Sequence, residues 1–319
     1  VALTGTEQAP PVSGPVRELD PPLDACPLCG AAAPRHYDTD HSGIRVDRCR
    51  SCGVRFMNPQ YTDAYLERFY AQYVEDPAEH HDAVWLRRRW EAKASHFAFV
   101  ERYAPVGRML SVGCGDGVEL EMARDRGWDV IGYDVDAETT QQVSLRTGIP
   151  VLAGDLFAHR LPPSGFQCVF MDQVIEHPKD PGRYLRLARL LLAPDGVLFA
   201  ATPNIGSVSS TWKILLGRLG LRPGKRGRHY DTWHHLFYYT PRALRRILER
   251  HYGFHVLEIQ GRYPAPAGVR LLPGLPLRTR VPWLVSTMRL VARRDDHVFD
   301  YVRRKRKARL AEPLSGLSS

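Results

Sequence analysis

Arg108-Met-Leu-Ser-Val-Gly-Cys-Gly-Asp-Gly117 runs an apolar strand straight into three alternating glycines, and a helical pattern begins directly after them. Glycine lets the backbone turn tightly and approach a ligand without side-chain obstruction, and the following helix offers unpaired N–H groups at its N-terminus. About seventeen residues on, Val130-Ile-Gly-Tyr-Asp134 reads as a second strand ending in a carboxylate, the arrangement that grips ribose hydroxyls in doubly wound sheets. A dinucleotide fingerprint wants Gly-x-Gly-x-x-Gly. Here the third glycine comes one position early and Val118 takes the expected slot, which favours a cofactor without a pyrophosphate over a nicotinamide dinucleotide.

Outward from this core, strands are predicted at Met109 to Val112, Asp129 to Tyr133, Pro150 to Ala153, Phe166 to Met171 and Val197 to Ala201, each separated from the next by a helical pattern. That alternation calls for a parallel sheet with helices on both faces. A helix is predicted from Pro241 to His251, with Thr240 as its N-cap, and two strands follow at Phe254 to Gln260 and Thr287 to Ala292. The stretch between those two strands is rich in proline and glycine and reads as an insertion. No internal repeat is visible.

The ordered series Val112-Gly-Cys-Gly-Asp-Gly117, Ala153-Gly-Asp155, Val174-Ile-Glu-His177, Leu192-Ala-Pro-Asp-Gly196 and Thr202-Pro-Asn204 resembles the class I S-adenosylmethionine-dependent methyltransferases over roughly residues 95 to 293. The resemblance implies a doubly wound, mostly parallel seven-stranded α/β sheet, with S-adenosylmethionine as cofactor. It puts Gly113, Gly115 and Gly117 at the amino-acid end of the donor, Asp134 on its ribose, and Asp155 or the Leu156 backbone at the adenine. Asp136 is a weaker competitor for the ribose, and Gln173 is set against the methionine portion. One position departs from the pattern: many relatives carry an acid where this chain has Ser111, so a charge-assisted contact to the donor would be lost there.

Methyl transfer from a sulfonium is an in-line displacement, so the site has mainly to hold the nucleophile about 3 Å from the methyl carbon with its lone pair free. His177 lies at the carboxyl edge of the sheet and is the first candidate for general base, since imidazole titrates near neutrality. The competing reading makes it a helix cap or a pocket wall. The segment from His229 to Thr240 is dense in aromatics and imidazoles, and a Trp-x-His-Leu pattern of the resembling enzymes is matched there by Trp233, His235 and Leu236. His235 is therefore a second base or positioning candidate, whereas His234 has no such support. Phe237 and Tyr239 read as core. Tyr70 and Tyr73 could close over the cofactor as a lid.

Cys26-Pro-Leu-Cys29-Gly30 and Cys49-Arg-Ser-Cys52-Gly53 form two Cys-x-x-Cys knuckles separated by nineteen residues, the spacing of a zinc ribbon. Four thiolates make a closed tetrahedral shell with no place for substrate, so the zinc is read as structural. Cys114 and Cys168 are read as buried small hydrophobes.

At 319 residues, 44% hydrophobic, the chain has enough apolar content for a packed core, and no apolar run approaches the length of a membrane span. The first fifteen residues lack the basic-then-apolar order of a leader, so cytoplasmic residence is expected. The expected division is a disordered lead (1–22), the ribbon (23–60), a helical connector or lid (61–104), the cofactor domain (105–294), and a basic helix with a flexible tail (295–319). In the connector, Val84, Trp85, Trp90, Ala94, Phe97, Ala98 and Val100 are expected to form an apolar stripe against the sheet. The net charge of +9 gathers in Arg87-Arg88-Arg89, Arg222 to Arg228 and Arg303 to Arg309, and is read as solvated surface more readily than as a polyanion site.

The function expected is methyl transfer to an oxygen or nitrogen of a small-molecule acceptor, a sugar or a secondary-metabolite intermediate. The alternative within catalysis is an RNA methyltransferase, suggested by the ribbon plus positive charge; nucleic acid as partner is possible but not favoured, because no stacking module for single-stranded RNA is visible and no Asn-Pro-Pro-Tyr motif follows the fourth strand. A non-catalytic zinc-ribbon scaffold with a vestigial cofactor fold is the reading from another class. Magnesium binding by Asp172, Glu176 and His177 stays open, as does the oligomeric state.

Overall fold

The computed structural model describes residues 18–40, 42–72, 83–221, 230, 232, 234–262 and 285–296. The expected disordered lead (but for its last residues), the insertion before the last strand and the basic C-terminal helix lie outside the described residues, as do Tyr73, Trp233 and His229.

Seven strands form the main sheet: β4 (Arg108–Val112), β5 (Asp129–Tyr133), β6 (Val151–Leu152), β7 (Phe166–Asp172), β8 (Leu192–Pro203), β10 (Phe254–Arg262) and β11 (Thr287–Arg294). Their order is β10-β11-β8-β7-β4-β5-β6, and β11 alone runs antiparallel to its neighbours. The strands read as near-continuous apolar runs because both faces are covered. One face, carrying Met109, Cys168, Phe170, Val197, Phe199 and Ala201, packs on α2 (Ala83–Val100), α3 (Val118–Asp125) and α4 (Ala137–Thr147). The other carries Leu110, Val112, Val169, Met171, Leu198 and Ala200 and packs on α5 (Pro181–Leu191) and α7 (Pro241–His251). Strand β8 begins earlier than the pattern predicts and includes Leu192-Ala-Pro-Asp-Gly196. The register shift between Phe166 and Cys168 absorbs this extra length.

The helix caps follow sequence. Thr240 accepts from the Ala243 N–H at 3.2 Å to start α7, with Pro241 in the first turn, and Asp136 accepts from the Thr139 N–H at 2.8 Å to start α4. Asp136 is thus occupied as a cap, which weakens its claim on a ribose.

The expected stripe on α2 is corrected. Trp90 is 57% exposed and Ala98 also faces out, while Lys93, His96, Phe97, Phe99 and Val100 turn inward. Spacing alone could not show that two basic side chains on this helix have buried acids to meet. The side chains of Val84 and Trp85 lie outside the described residues.

The ribbon is sewn into the main body. Strands β1 (Arg35–Thr39), β2 (Arg45–Arg48) and β3 (Arg55–Met57) make an antiparallel sheet whose fourth strand, β9 (Phe237–Tyr238), comes from the aromatic segment about 180 residues beyond β3 in the chain. Phe56 pairs with Phe237, and the Met57 N–H donates to the Leu236 carbonyl at 2.9 Å. Buried acids add to the seam: Asp38 accepts from the Tyr230 hydroxyl at 3.1 Å, and Asp40 from the Thr232 hydroxyl. On its other side the Tyr252 hydroxyl donates to the Leu28 carbonyl at 2.8 Å. Helix α1 (Asp63–Gln72) then lays Phe69 against His234 of the same aromatic segment and Tyr70 against His177. Helix α6 (Val208–Arg218) follows β8. Among the described residues, no helix is long and apolar enough to cross a membrane.

Candidate functional site

Parallel strands β4, β5 and β7 all end at one edge, with Val112 beside Tyr133 and Met171, and the turns after them build the site. The Gly113 and Cys114 N–H groups donate to the Tyr133 carbonyl at 2.8 and 3.0 Å, which fixes the glycine loop on the end of β5. Gly113 sits at φ +71° and a Cβ there would stand 2.7 Å from Val174 Cγ2; Gly117 sits at φ +76° and a Cβ there would run into Val143 Cγ1. Both positions therefore exclude other residues by space and by backbone. The Gly113 contact also shows that the glycine loop abuts the Gln173-to-His177 turn.

Asp134 is brought to this loop as the sequence predicts. Its Oδ2 accepts from the Gly115 N–H at 2.9 Å and its Oδ1 from the Asp136 N–H at 3.3 Å. Burial raises its pKa above the ordinary aspartate value, while these backbone donors favour the charged form.

Beneath the loop lies a charged network that sequence reasoning missed. The Ser111 hydroxyl, fully buried, donates to Glu119 Oε1 at 2.6 Å, and the other oxygen of Glu119 pairs with Lys93. Lys93 Nζ also lies 3.5 Å from Asp172 Oδ2, which has His96 Nε2 at 3.7 Å. Arg89 forks onto Asp116 of the glycine loop, with one arm at 2.8 Å. The signal available was the spacing of Arg89, Lys93 and His96, which share one face of α2. Burial raises the Glu119 pKa, opposed by the Lys93 charge; for Asp116, burial is outweighed by the Arg89 contacts, and its pKa falls. One oxygen of Asp172, Oδ2, is thus turned to Lys93 and His96.

Asp155 accepts from the Phe157 N–H at 3.0 Å, capping the short 3₁₀ turn Leu156–Ala158, and Arg183 stands 3.8 Å away. It is exposed and Leu156 is buried beneath it. Gln173, at the end of β7, holds φ +59°, a left-handed backbone that costs a residue with a Cβ roughly 1–2 kcal/mol. Such strain gathers at binding sites. Cys114 and Cys168 are buried, as read.

On the far side of Val174 three imidazoles meet. His177 has its ring centroid 5.2 Å from His234 and 4.9 Å from His235, and the latter two are 3.9 Å apart. Two separate segments are held together here by the backbone: the Leu236 and Phe237 N–H groups both donate to the Glu176 carbonyl, at 2.9 and 3.0 Å, and the Tyr239 hydroxyl donates to the Ile175 carbonyl at 2.9 Å. Burial pushes His177 down to about 4 and His234 to about 2, and holds His235 well below its usual value, so all three are neutral at pH 7. Tyr70 stands edge-on to His177 at 6.1 Å and Phe69 stacks on His234 at 5.9 Å. Tyr70 therefore covers the histidines. Phe237 and Tyr239 are core, as expected.

At the other end of the ribbon the four cysteines converge. Their sulfurs all lie within 4.8 Å of one another, with Cys26 to Cys52 at 3.7 Å and Cys29 to Cys49 at 3.5 Å. A tetrahedral shell with metal–sulfur bonds of about 2.3 Å has edges of about 3.8 Å. The donor set fits a four-thiolate zinc.

A family model described as a methyltransferase domain matches residues 83–259, more than half of the chain. The ubiquinone biosynthesis O-methyltransferase of Chromobacterium violaceum is 28% identical over 225 residues, covering 64% of this chain and 93% of that protein. A probable S-adenosylmethionine-dependent methyltransferase of Mycolicibacterium smegmatis is 32% identical over 124 residues, covering 38% of this chain and 46% of its own. Against several other curated relatives the match likewise spans about half their length. Among solved structures, the 1,6-didemethyltoxoflavin-N1-methyltransferase of Burkholderia thailandensis is 17% identical, covering 83% of this chain and all of that one, with a TM-score of 0.47.

Proposed function

The chain belongs to the S-adenosylmethionine-dependent methyltransferases, and from that premise we propose that its acceptor is a small molecule, a sugar or secondary-metabolite intermediate, methylated on oxygen or nitrogen. In this reading Gly113, Gly115 and Gly117 hold the donor's amino-acid end, Asp134 its ribose, Asp155 or the Leu156 backbone its adenine, and Gln173 its methionine chain. His177 and His235 face the acceptor and draw off its proton, and a structural zinc sits on Cys26, Cys29, Cys49 and Cys52.

The observation that carries the reading is the enclosed histidine group, joined to the glycine loop through Val174 and covered by Phe69 and Tyr70. A neutral imidazole has a lone pair for a hydroxyl or ammonium proton, and the aromatic rings packed on the group suit a small acceptor better than a polymer. On α2, Arg89 and Lys93 are spent on Asp116, Glu119 and Asp172. The Chromobacterium protein's name supports an oxygen acceptor by likeness.

Calorimetric titration with S-adenosylhomocysteine tests the donor half. One saturable site, lost in Asp134→Ala and absent for NADH, is expected. Methyl incorporation from labelled donor into catechols, sugars and amines then tests the acceptor half, and incorporation into RNA alone would overturn it.

A further inference from the structure

We infer that His177, His234 and His235 form a second metal centre, separate from the four cysteines, which takes one late divalent transition-metal ion such as zinc, nickel or cobalt. Each imidazole brings a ring nitrogen to within 4.8 Å of the other two. Metal–nitrogen bonds of about 2.0–2.1 Å in tetrahedral array set the nitrogens about 3.4 Å apart. The rings thus close on an ion by side-chain rotation, each moving less than about 1 Å.

The backbone already holds the ligands in place. His177 comes from the turn after β7, and His234 and His235 from the segment that leads into β9. The two stretches are pinned by the paired N–H groups of Leu236 and Phe237 on the Glu176 carbonyl. His177 Nδ1 lies 3.4 Å from the His234 carbonyl oxygen. With the proton on Nδ1, that carbonyl orients the ring and leaves Nε2 to ligate, the usual outer support of a metal-bound imidazole. Phe69 and Tyr70 pack against the rings from α1 and narrow their freedom further.

The ligand type chooses the ion. Imidazoles suit zinc, nickel and cobalt, whereas magnesium and calcium want carboxylate oxygens, and the acid that might have joined, Asp172, faces Lys93 and His96. Three protein ligands leave a fourth position open, where an ion would polarise an oxygen ligand and take over the proton-releasing role from His177 and His235, whose lone pairs it occupies. That the oxygen is the acceptor's rests on the methyl-transfer reading above; uptake of the ion does not.

The test is metal uptake by the full chain with its cysteine site filled with zinc. Titration with Co2+, followed by calorimetry and visible absorption, should show one added equivalent without thiolate charge-transfer bands. His234→Ala and His177→Gln should each weaken that equivalent at least tenfold, with circular dichroism and S-adenosylhomocysteine affinity unchanged in His234→Ala. No added equivalent in wild type, or an added equivalent that survives in both variants, would overturn the inference. S-adenosylhomocysteine binding in the same samples reports on the methyltransferase reading separately.

Discussion

The Ser111 hydroxyl donates a 2.6 Å hydrogen bond to Glu119, so the acid missing from the end of β4 is supplied by the first turn of α3. The carboxylate has moved eight residues along the chain and a hydrogen bond's length in space. Lys93 reaches it from α2 and favours its charged form against the burial that raises its pKa. Relative to the pattern the chain resembles, the charge is relocated to α3, with both its oxygens engaged by Ser111 and Lys93.

Restoring the acid at 111 should be harmful unless the other is removed. Ser111→Asp places two carboxylates side by side in a buried site, and Glu119→Gln leaves Lys93 to Asp172 alone; each should cost roughly 3–5 kcal/mol. The double variant Ser111→Asp/Glu119→Gln moves the charge back, and should recover at least about 1 kcal/mol relative to the sum of the single losses. Urea unfolding of the four proteins measures this directly, and strict additivity would refute the relocation.

The half of the site that was legible in sequence is the half whose constraints are local. Gly113, Gly117 and Asp134 are dictated by one turn and one strand end, so their types and spacing survive in the linear pattern. The Lys93–Glu119 pair, the Phe56–Phe237 strand pairing and the placing of His234 beside His177 join segments 26, 181 and 57 residues apart. No periodicity encodes such partners. Trp90 illustrates the cost: read as apolar stripe, it points to solvent because Lys93 and His96 on the same helix have charges to meet inside.

Removing the metal from the ribbon should be felt at the histidines rather than at the donor. Strand β9 hangs on β3, and β3 follows directly from the Cys49–Cys52 knuckle. With a chelator strong enough to empty the cysteine site, amide hydrogen exchange should rise in residues 234–239 by tenfold or more, while residues 108–117 stay protected. S-adenosylhomocysteine affinity should change by less than about threefold, since a site whose contacts are intact keeps its free energy. Equal deprotection of both regions would show instead that the ribbon supports the whole fold.

Donor binding should weaken on the acid side at a higher pH than an ordinary aspartate would give. Burial holds the Asp134 pKa above 3.8. A raised carboxyl pKa means that this group costs the free protein stability as pH rises through the window between the two values, and donor hydroxyls reward the ionised form. As pH falls through the raised pKa, the carboxylate takes a proton and the ribose loses an acceptor. S-adenosylhomocysteine titrations from about pH 8 down to about pH 4.5 should show the dissociation constant rising, and Asp134→Asn should bind roughly 10- to 100-fold more weakly with the slope gone. A slope that persists in Asp134→Asn would move the titration to another group.

Gly113 and Gly115 make different demands although both have positive φ, and substitution separates them. At Gly115, φ +47° and no atom within 4 Å of an added Cβ leave backbone strain as the whole cost, roughly 1–2 kcal/mol for alanine. At Gly113 the same strain is joined by a methyl 2.7 Å from Val174 Cγ2, an overlap worth roughly 1–3 kcal/mol more, and the push falls on the turn that carries Gln173 and His177. Gly113→Ala should therefore be the less stable of the two and should depress acceptor methylation as well as donor affinity. Val174→Ala in the Gly113→Ala background should return the steric part and none of the strain, so the double variant should match Gly115→Ala in stability once the separate cost of Val174→Ala is subtracted. If Val174→Ala gives no relief, the glycine loop and the histidine turn are not in the contact from which their coupling is argued.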